Sequence, residues 1–154
     1  MQSLLKPFLG MFLIAGIAGA AHAQAPFAKA EDAVKYRKSA LFVMGQHFGR
    51  LGPVMKGERP YDKEEVAHNV AVAEEMSKLP WAGFVAGTDK GETGALPAIW
   101  AEPAKFKSAG EKMQQEMSKL AQLAKGGDLN AIKAQFGETG KACKACHDDF
   151  RKKP

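Results

Sequence analysis

The stretch Asp128-Leu-Asn-Ala-Ile132-Lys-Ala-Gln-Phe136-Gly-Glu-Thr139-Gly-Lys-Ala-Cys143-Lys-Ala-Cys146-His147-Asp-Asp-Phe150-Arg151 decides the fold. Leu129, Ile132, Phe136, Thr139, Cys143, Cys146 and Phe150 recur at alternating steps of three and four, the period of a helix with one inward seam. Asp128 stands where an N-cap belongs. Within the helix lies Cys143-Lys-Ala-Cys146-His147, a C-x-x-C-H run, which is the attachment signature of c-type haem. The spacing has a chemical reason. Residues three and four apart share a helix face, so the two thiols can add to the two vinyl groups of one porphyrin edge. His147 is then aimed at the iron as axial ligand. A zinc site would need three or four protein ligands, and the chain has only these two cysteines and no second cluster. A local disulfide would leave His147 without a role. Because both cysteines lie on the seam, the haem is expected inside the helical assembly.

Working outward, three more helices are expected. The third runs from Pro103, which suits a first helical turn, to Gly126-Gly127. Its seam is Phe106, Gly110, Met113, Met117, Leu120 and Ala124. The second runs from an Asp62 N-cap to about Leu79, with Val66, Val70, Ala73 and Met76 inward; Glu65 would complete a capping box and Pro80 would stop it. On that helix His68 is assigned to the surface. The first runs from about Glu31 to Met55, with the seam Val34, Arg37, Leu41, Met44, Phe48, Leu51 and Met55. His47 falls off this seam, exposed or at a subunit contact. Residues 80–102 carry too many Pro and Gly for a useful helix. Their Trp81, Phe84 and Trp100 either cap the end of the bundle or touch the haem edge. Four amphipathic helices with no strand-like alternation predict an all-α, antiparallel up-down-up-down four-helix bundle with haem c in its core.

One seam position is charged. A buried Arg37 needs an anionic partner, and a haem propionate would serve. The other reading puts Arg37 at a frayed end or snorkelling to solvent. Arg151, one turn beyond His147, either covers the haem face on that side or belongs to the basic tail Arg151-Lys152-Lys153.

The first 23 residues read as a cleaved secretory signal. Lys6 precedes an apolar run from Phe8 to Ala20, and Ala21-His22-Ala23 is a small-x-small cleavage site. The run is too short to serve as a membrane anchor, which takes about 20 residues. Residues 24–154 then form one exported domain, expected in the periplasm. The formal charge of +5, +4 without Lys6, is modest and spread along the chain, which does not suggest nucleic acid.

These residues resemble the cytochrome c′ family. The resemblance is carried by Val34-Lys-Tyr-Arg-Lys-Ser-Ala-Leu41, His47-Phe-Gly-Arg50, Leu79-Pro-Trp81 and Cys143 to Arg151, and by a C-x-x-C-H run that closes the last helix. It implies that Leu41 lies over the distal haem face, that Arg37 lies near a propionate and that Arg151 lies beside the proximal His147. It further implies a homodimer and a haem whose sixth position is open to small gases such as nitric oxide and carbon monoxide. Met44, one turn beyond Leu41, is the competing sixth ligand. With Met44 bound, the protein would be a six-coordinate electron carrier serving a redox partner protein. No distal acid–base residue is evident, so an enzyme is not expected.

Overall fold

The computed structural model describes residues 27–153; the expected signal peptide, residues 1–23, lies outside them. Helix α1 spans Ala30–Lys56 and α2 spans Lys63–Ser77. A 3-10 turn, Pro80–Gly83, and the short α3, Ala98–Ala101, interrupt the long connection. Helices α4 (Pro103–Gly126) and α5 (Leu129–Phe150) complete the chain. Together α1, α2, α4 and α5 form the expected up-down-up-down bundle.

The termini of the helices follow local chemistry. Gly57 takes the left-handed conformation (φ 78°), and its N–H and that of Glu58 close onto the Val54 and Pro53 carbonyls. Asp62 Oδ1 accepts from the Glu65 N–H at 2.8 Å. The return half of the expected capping box is missing, because the Glu65 carboxylate pairs with Arg59 at 3.1 Å instead. Asp128 Oδ1 caps α5, accepting from the N–H groups of Asn130 and Ala131. Helix α2 ends two residues before the expected Leu79.

The core joins Leu51 and Val54 of α1, Val66, Val70 and Ala73 of α2, Met113, Met117, Leu120 and Ala124 of α4, and Ile132 of α5. Burying each of the larger aliphatic side chains stabilises the fold by roughly 1.5–3 kcal/mol. A second cluster of Ala95, Ile99 and Phe150 sits at the end where the long connection crosses the bundle.

The seam expected along α1 is only partly covered. Ala33, Arg37, Ala40, Leu51 and Val54 are the buried residues of α1, while Val34, Leu41, Met44 and Phe48 are half-buried. Packing runs α1 on α2, α2 on α4 and α4 on α5; α1 and α5 make no comparable backbone approach. They meet through side chains, with Phe48 stacked on Phe136 at 4.4 Å. The stripe containing Leu41 and Phe48 therefore faces α5 across a wedge. Seven residues before Phe48 is Leu41, and seven after Phe136 is Cys143. The helices are antiparallel, so these two lie at one level, about 10 Å along the bundle from the Phe48–Phe136 contact.

Candidate haem site

Residues Cys143, Cys146 and His147 occupy the last two turns of α5, and the C-terminal tail holds that end in place. Arg151 is extended and forms an isolated antiparallel bridge with Ala95. Around it Leu96 N–H donates to the Phe150 carbonyl at 2.9 Å, and Lys152 N–H donates to the Gly94 carbonyl at 2.8 Å. The backbone of Arg151 is thus pinned between His147 and the loop.

Both cysteines are free and half-buried, so the local disulfide is not formed. Cys143 packs against the main core and Cys146 against the Ala95–Ile99–Phe150 cluster. Burial raises both thiol pKa values, and for Cys146 the neighbouring Cys143 and Asp149 add to the effect. The pKa of His147 is lowered, first by desolvation and then by Arg151. That favours the neutral imidazole, the form that can ligate a metal. No group of three or more His, Cys, Asp or Glu capable of holding a bare metal ion occurs among the described residues. The donor set is thus two thiols and one imidazole on a single helix end beside a wedge, which fits haem c.

Arg37 lies at the same end and is only 2% exposed, which excludes the frayed or snorkelling reading. Its guanidinium is held by the long connection. Nη1 donates to the Gly83 carbonyl (2.7 Å) and Thr88 Oγ1 (2.6 Å), and Nη2 to the Thr88 carbonyl (2.6 Å) and Thr93 Oγ1 (2.9 Å). It lies over the Phe84 ring at 4.6 Å and the Trp100 ring at 5.6 Å. Desolvation lowers its pKa. All four oxygens are neutral, and none of the ion pairs among the described residues involves Arg37. Sequence reasoning assigned Arg37 to an anion and missed this second role as the clamp of the loop. Thr88 and Thr93 give no periodic signal, because their importance comes from where the loop folds back.

The loop aromatics pack on the end of the bundle and on Arg37. Trp81 donates through Nε1 to the Ser77 carbonyl at 2.7 Å and packs on Phe106, with centroids 5.6 Å apart. Phe84, Phe106 and Phe150 continue the contact edge to face, ending in the cluster that holds Cys146. A groove of about 930 Å³ flanks α1 beneath the Gly87–Glu92 loop and contains neither thiol nor His147; it is separate from the attachment site. Met44 packs into the main core. It lies three residues beyond Leu41, so it is displaced by about 4.5 Å along the axis from the level of Cys143.

A sequence profile of the cytochrome c′ family matches residues 32–151. The chain belongs to the cytochrome c′ family. Cytochrome c′ of Alcaligenes xylosoxydans xylosoxydans is 50% identical over 127 residues, covering 82% of this chain and 98% of the relative. That of Rubrivivax gelatinosus is 45% identical over 128 residues, covering 82% and 99%. Among solved structures, the crystal structure of the Rubrivivax gelatinosus protein matches with a TM-score of 0.79 at 45% identity, covering 82% of this chain and 99% of that one. A nitric oxide complex of a leucine-to-alanine mutant of the Alcaligenes xylosoxidans protein matches with a TM-score of 0.78 at 49% identity, covering 83% and 99%. Family membership makes this a haem protein of the c type on a four-helix bundle. No helix among the described residues is long and apolar enough to cross a membrane.

Proposed function

We propose that this protein is a periplasmic, homodimeric gas-binding cytochrome, directed chiefly at nitric oxide, and not an enzyme. Cys143 and Cys146 would hold one haem c covalently, and His147 would ligate its iron. When bound, the haem supplies an iron centre that takes up small gases and exchanges one electron. The observation that carries the reading is the level of Leu41. It faces α5 opposite Cys143, half-buried, where the wedge is open, while Met44 lies a turn nearer the Phe48–Phe136 contact. A side chain that cannot ligate iron therefore occupies the level of the attachment site, and the candidate ligand does not.

Leu41 excludes water and offers no hydrogen bond to a bound gas. Such surroundings disfavour dioxygen, whose complex is polar, and leave nitric oxide, which needs no donor. Arg37 meets the propionate reading with a buried charge that is not matched by a carboxylate. Desolvation first, and Arg151 beside it second, lower the pKa of His147 and so favour the neutral imidazole. The nitric oxide complexes of the relatives support the choice of gas. One-electron exchange with a redox partner protein is the secondary activity, and the basic tail would steer an acidic partner.

Absorption spectra of the purified holoprotein test this reading. A high-spin ferric spectrum, haem that resists acid–organic extraction, and much tighter carbon monoxide binding in Leu41→Ala are expected. A low-spin ferric spectrum that becomes high-spin in Met44→Leu would move the protein to the six-coordinate electron carriers.

A further inference from the structure

Away from the haem site, α1 and α2 bring together the two histidines that the expected mature chain holds besides His147. The rings of His47 and His68 lie with centroids 6.1 Å apart and an interplanar angle of 70°. Within one chain His47 is half-buried and makes a polar contact, its Nδ1 lying 2.9 Å from Oδ1 of the buried Asn69. Asn69 in turn donates through Nδ2 to the Glu65 carbonyl at 2.9 Å. That second bond fixes the amide orientation and makes Oδ1 the acceptor. Nδ1 of His47 must then carry the proton, which leaves the lone pair on Nε2. A histidine oriented through Nδ1 by a buried oxygen, with Nε2 free, is the arrangement that outer-shell partners impose on metal-ligating imidazoles. His68 is exposed on the neighbouring helix, so its ring can turn.

We infer that His47 and His68 form a two-imidazole site for a late first-row divalent cation, tightest for Cu²⁺, with Asn69 as its positioning residue. Metal–nitrogen bonds of ~2.0–2.1 Å put two ligating imidazole centroids roughly 5–6 Å apart, and a small rotation of His68 reaches that range. Imidazole suits copper, nickel and zinc, and the intrinsic order of divalent affinities places copper highest. Water completes the coordination, because no third His, Cys, Asp or Glu closes on the pair among the described residues. The pair links α1 to α2, so a bound cation would cross-link two helices of the bundle. The inference does not depend on the gas-binding reading.

The test is titration of the haem-loaded protein with Cu²⁺ at neutral pH, followed by calorimetry and by electron paramagnetic resonance after subtraction of the iron signal. One copper per chain is expected, with hyperfine structure from two ring nitrogens. His68→Gln should weaken binding at least tenfold and leave a one-nitrogen signal; because His68 is exposed, this variant is expected to fold normally. Asn69→Leu, should it fold, ought to weaken binding less and keep both nitrogens. Unchanged affinity in His68→Gln, or a single nitrogen in the unsubstituted protein, would overturn the site and leave His47–Asn69 as a plain link between helices.

Discussion

Gly110 lies in the interior of α4, directly beneath Trp81. Replacing it with Ala would gain about 1 kcal/mol of helix propensity. The added Cβ, however, would fall 2.6 Å from Cζ3, 2.7 Å from Cη2 and 3.2 Å from Cε3 of the indole. Carbon atoms rest at ~3.5–4.0 Å, so the ring would have to withdraw by about 1 Å. It is not free to do so. Nε1 is bonded to the Ser77 carbonyl, and the ring is packed against Phe84 and Phe106. Overpacking costs typically ~1–3 kcal/mol, and loosening the indole hydrogen bond adds roughly 0.5–1.5 kcal/mol. The clash therefore outweighs the propensity gain, and Gly110→Ala should destabilise the protein by about 1–3 kcal/mol. Gly137, in the interior of α5, is exposed and has nothing within 4 Å of a built Cβ. Gly137→Ala should therefore stabilise by ~0.5–1 kcal/mol. Urea denaturation of the two variants beside the parent protein reads both signs. Because the aromatic contacts run on from Trp81 to the Cys146 cluster, Gly110→Ala should also shift the haem absorption bands. A Gly110→Ala protein as stable as the parent would refute the reasoning.

Glu116 carries a pH prediction. It is buried on α4 and bonded to Lys112, Lys119 and Gln135, and these contacts, Lys112 first, lower its pKa to about 2. A depressed carboxylate contributes stability above its unfolded pKa and loses it as pH falls through the folded value. The α4–α5 link should therefore weaken between about pH 4.5 and 2, and Glu116→Gln should flatten the urea midpoint over that window. Arg37→Met would leave the Gly83 and Thr88 carbonyls without their donor. At ~1–3 kcal/mol for each of these two unsatisfied buried groups, a loss of about 2–6 kcal/mol and faster proteolysis within 84–95 are expected; unchanged protection would reject the clamp. The holoprotein should sediment as a dimer at micromolar concentration, and a monomer would reject the homodimer.

The helical repeat of the chain, its turn glycines and its caps are local, so the four helices, their order and the C-x-x-C-H attachment site could be read from the residues alone. The seam from Leu129 to Phe150 placed both cysteines on one face before any partner helix was known, and the bundle class followed from four such seams. What the sequence could not decide was which neighbour each face would meet. The α1 stripe through Leu41 and Phe48 looks like core on periodicity, yet it is only half-buried, because the N-terminal half of α1 turns Ala33 and Arg37 to Gly83 of the long connection and only Leu51 and Val54 join the main core. The anion expected for Arg37 was a reasonable demand of a buried charge. Only the folded loop shows that neutral oxygens of Gly83, Thr88 and Thr93 and two aromatic faces also take up that charge, and those contacts lie 46 to 56 residues away in sequence. The same holds for His47 and Asn69, and for Ala95 and Arg151. Each pairing closes a long loop, and a one-dimensional pattern carries no signal for a contact whose energy appears only after the chain has folded back.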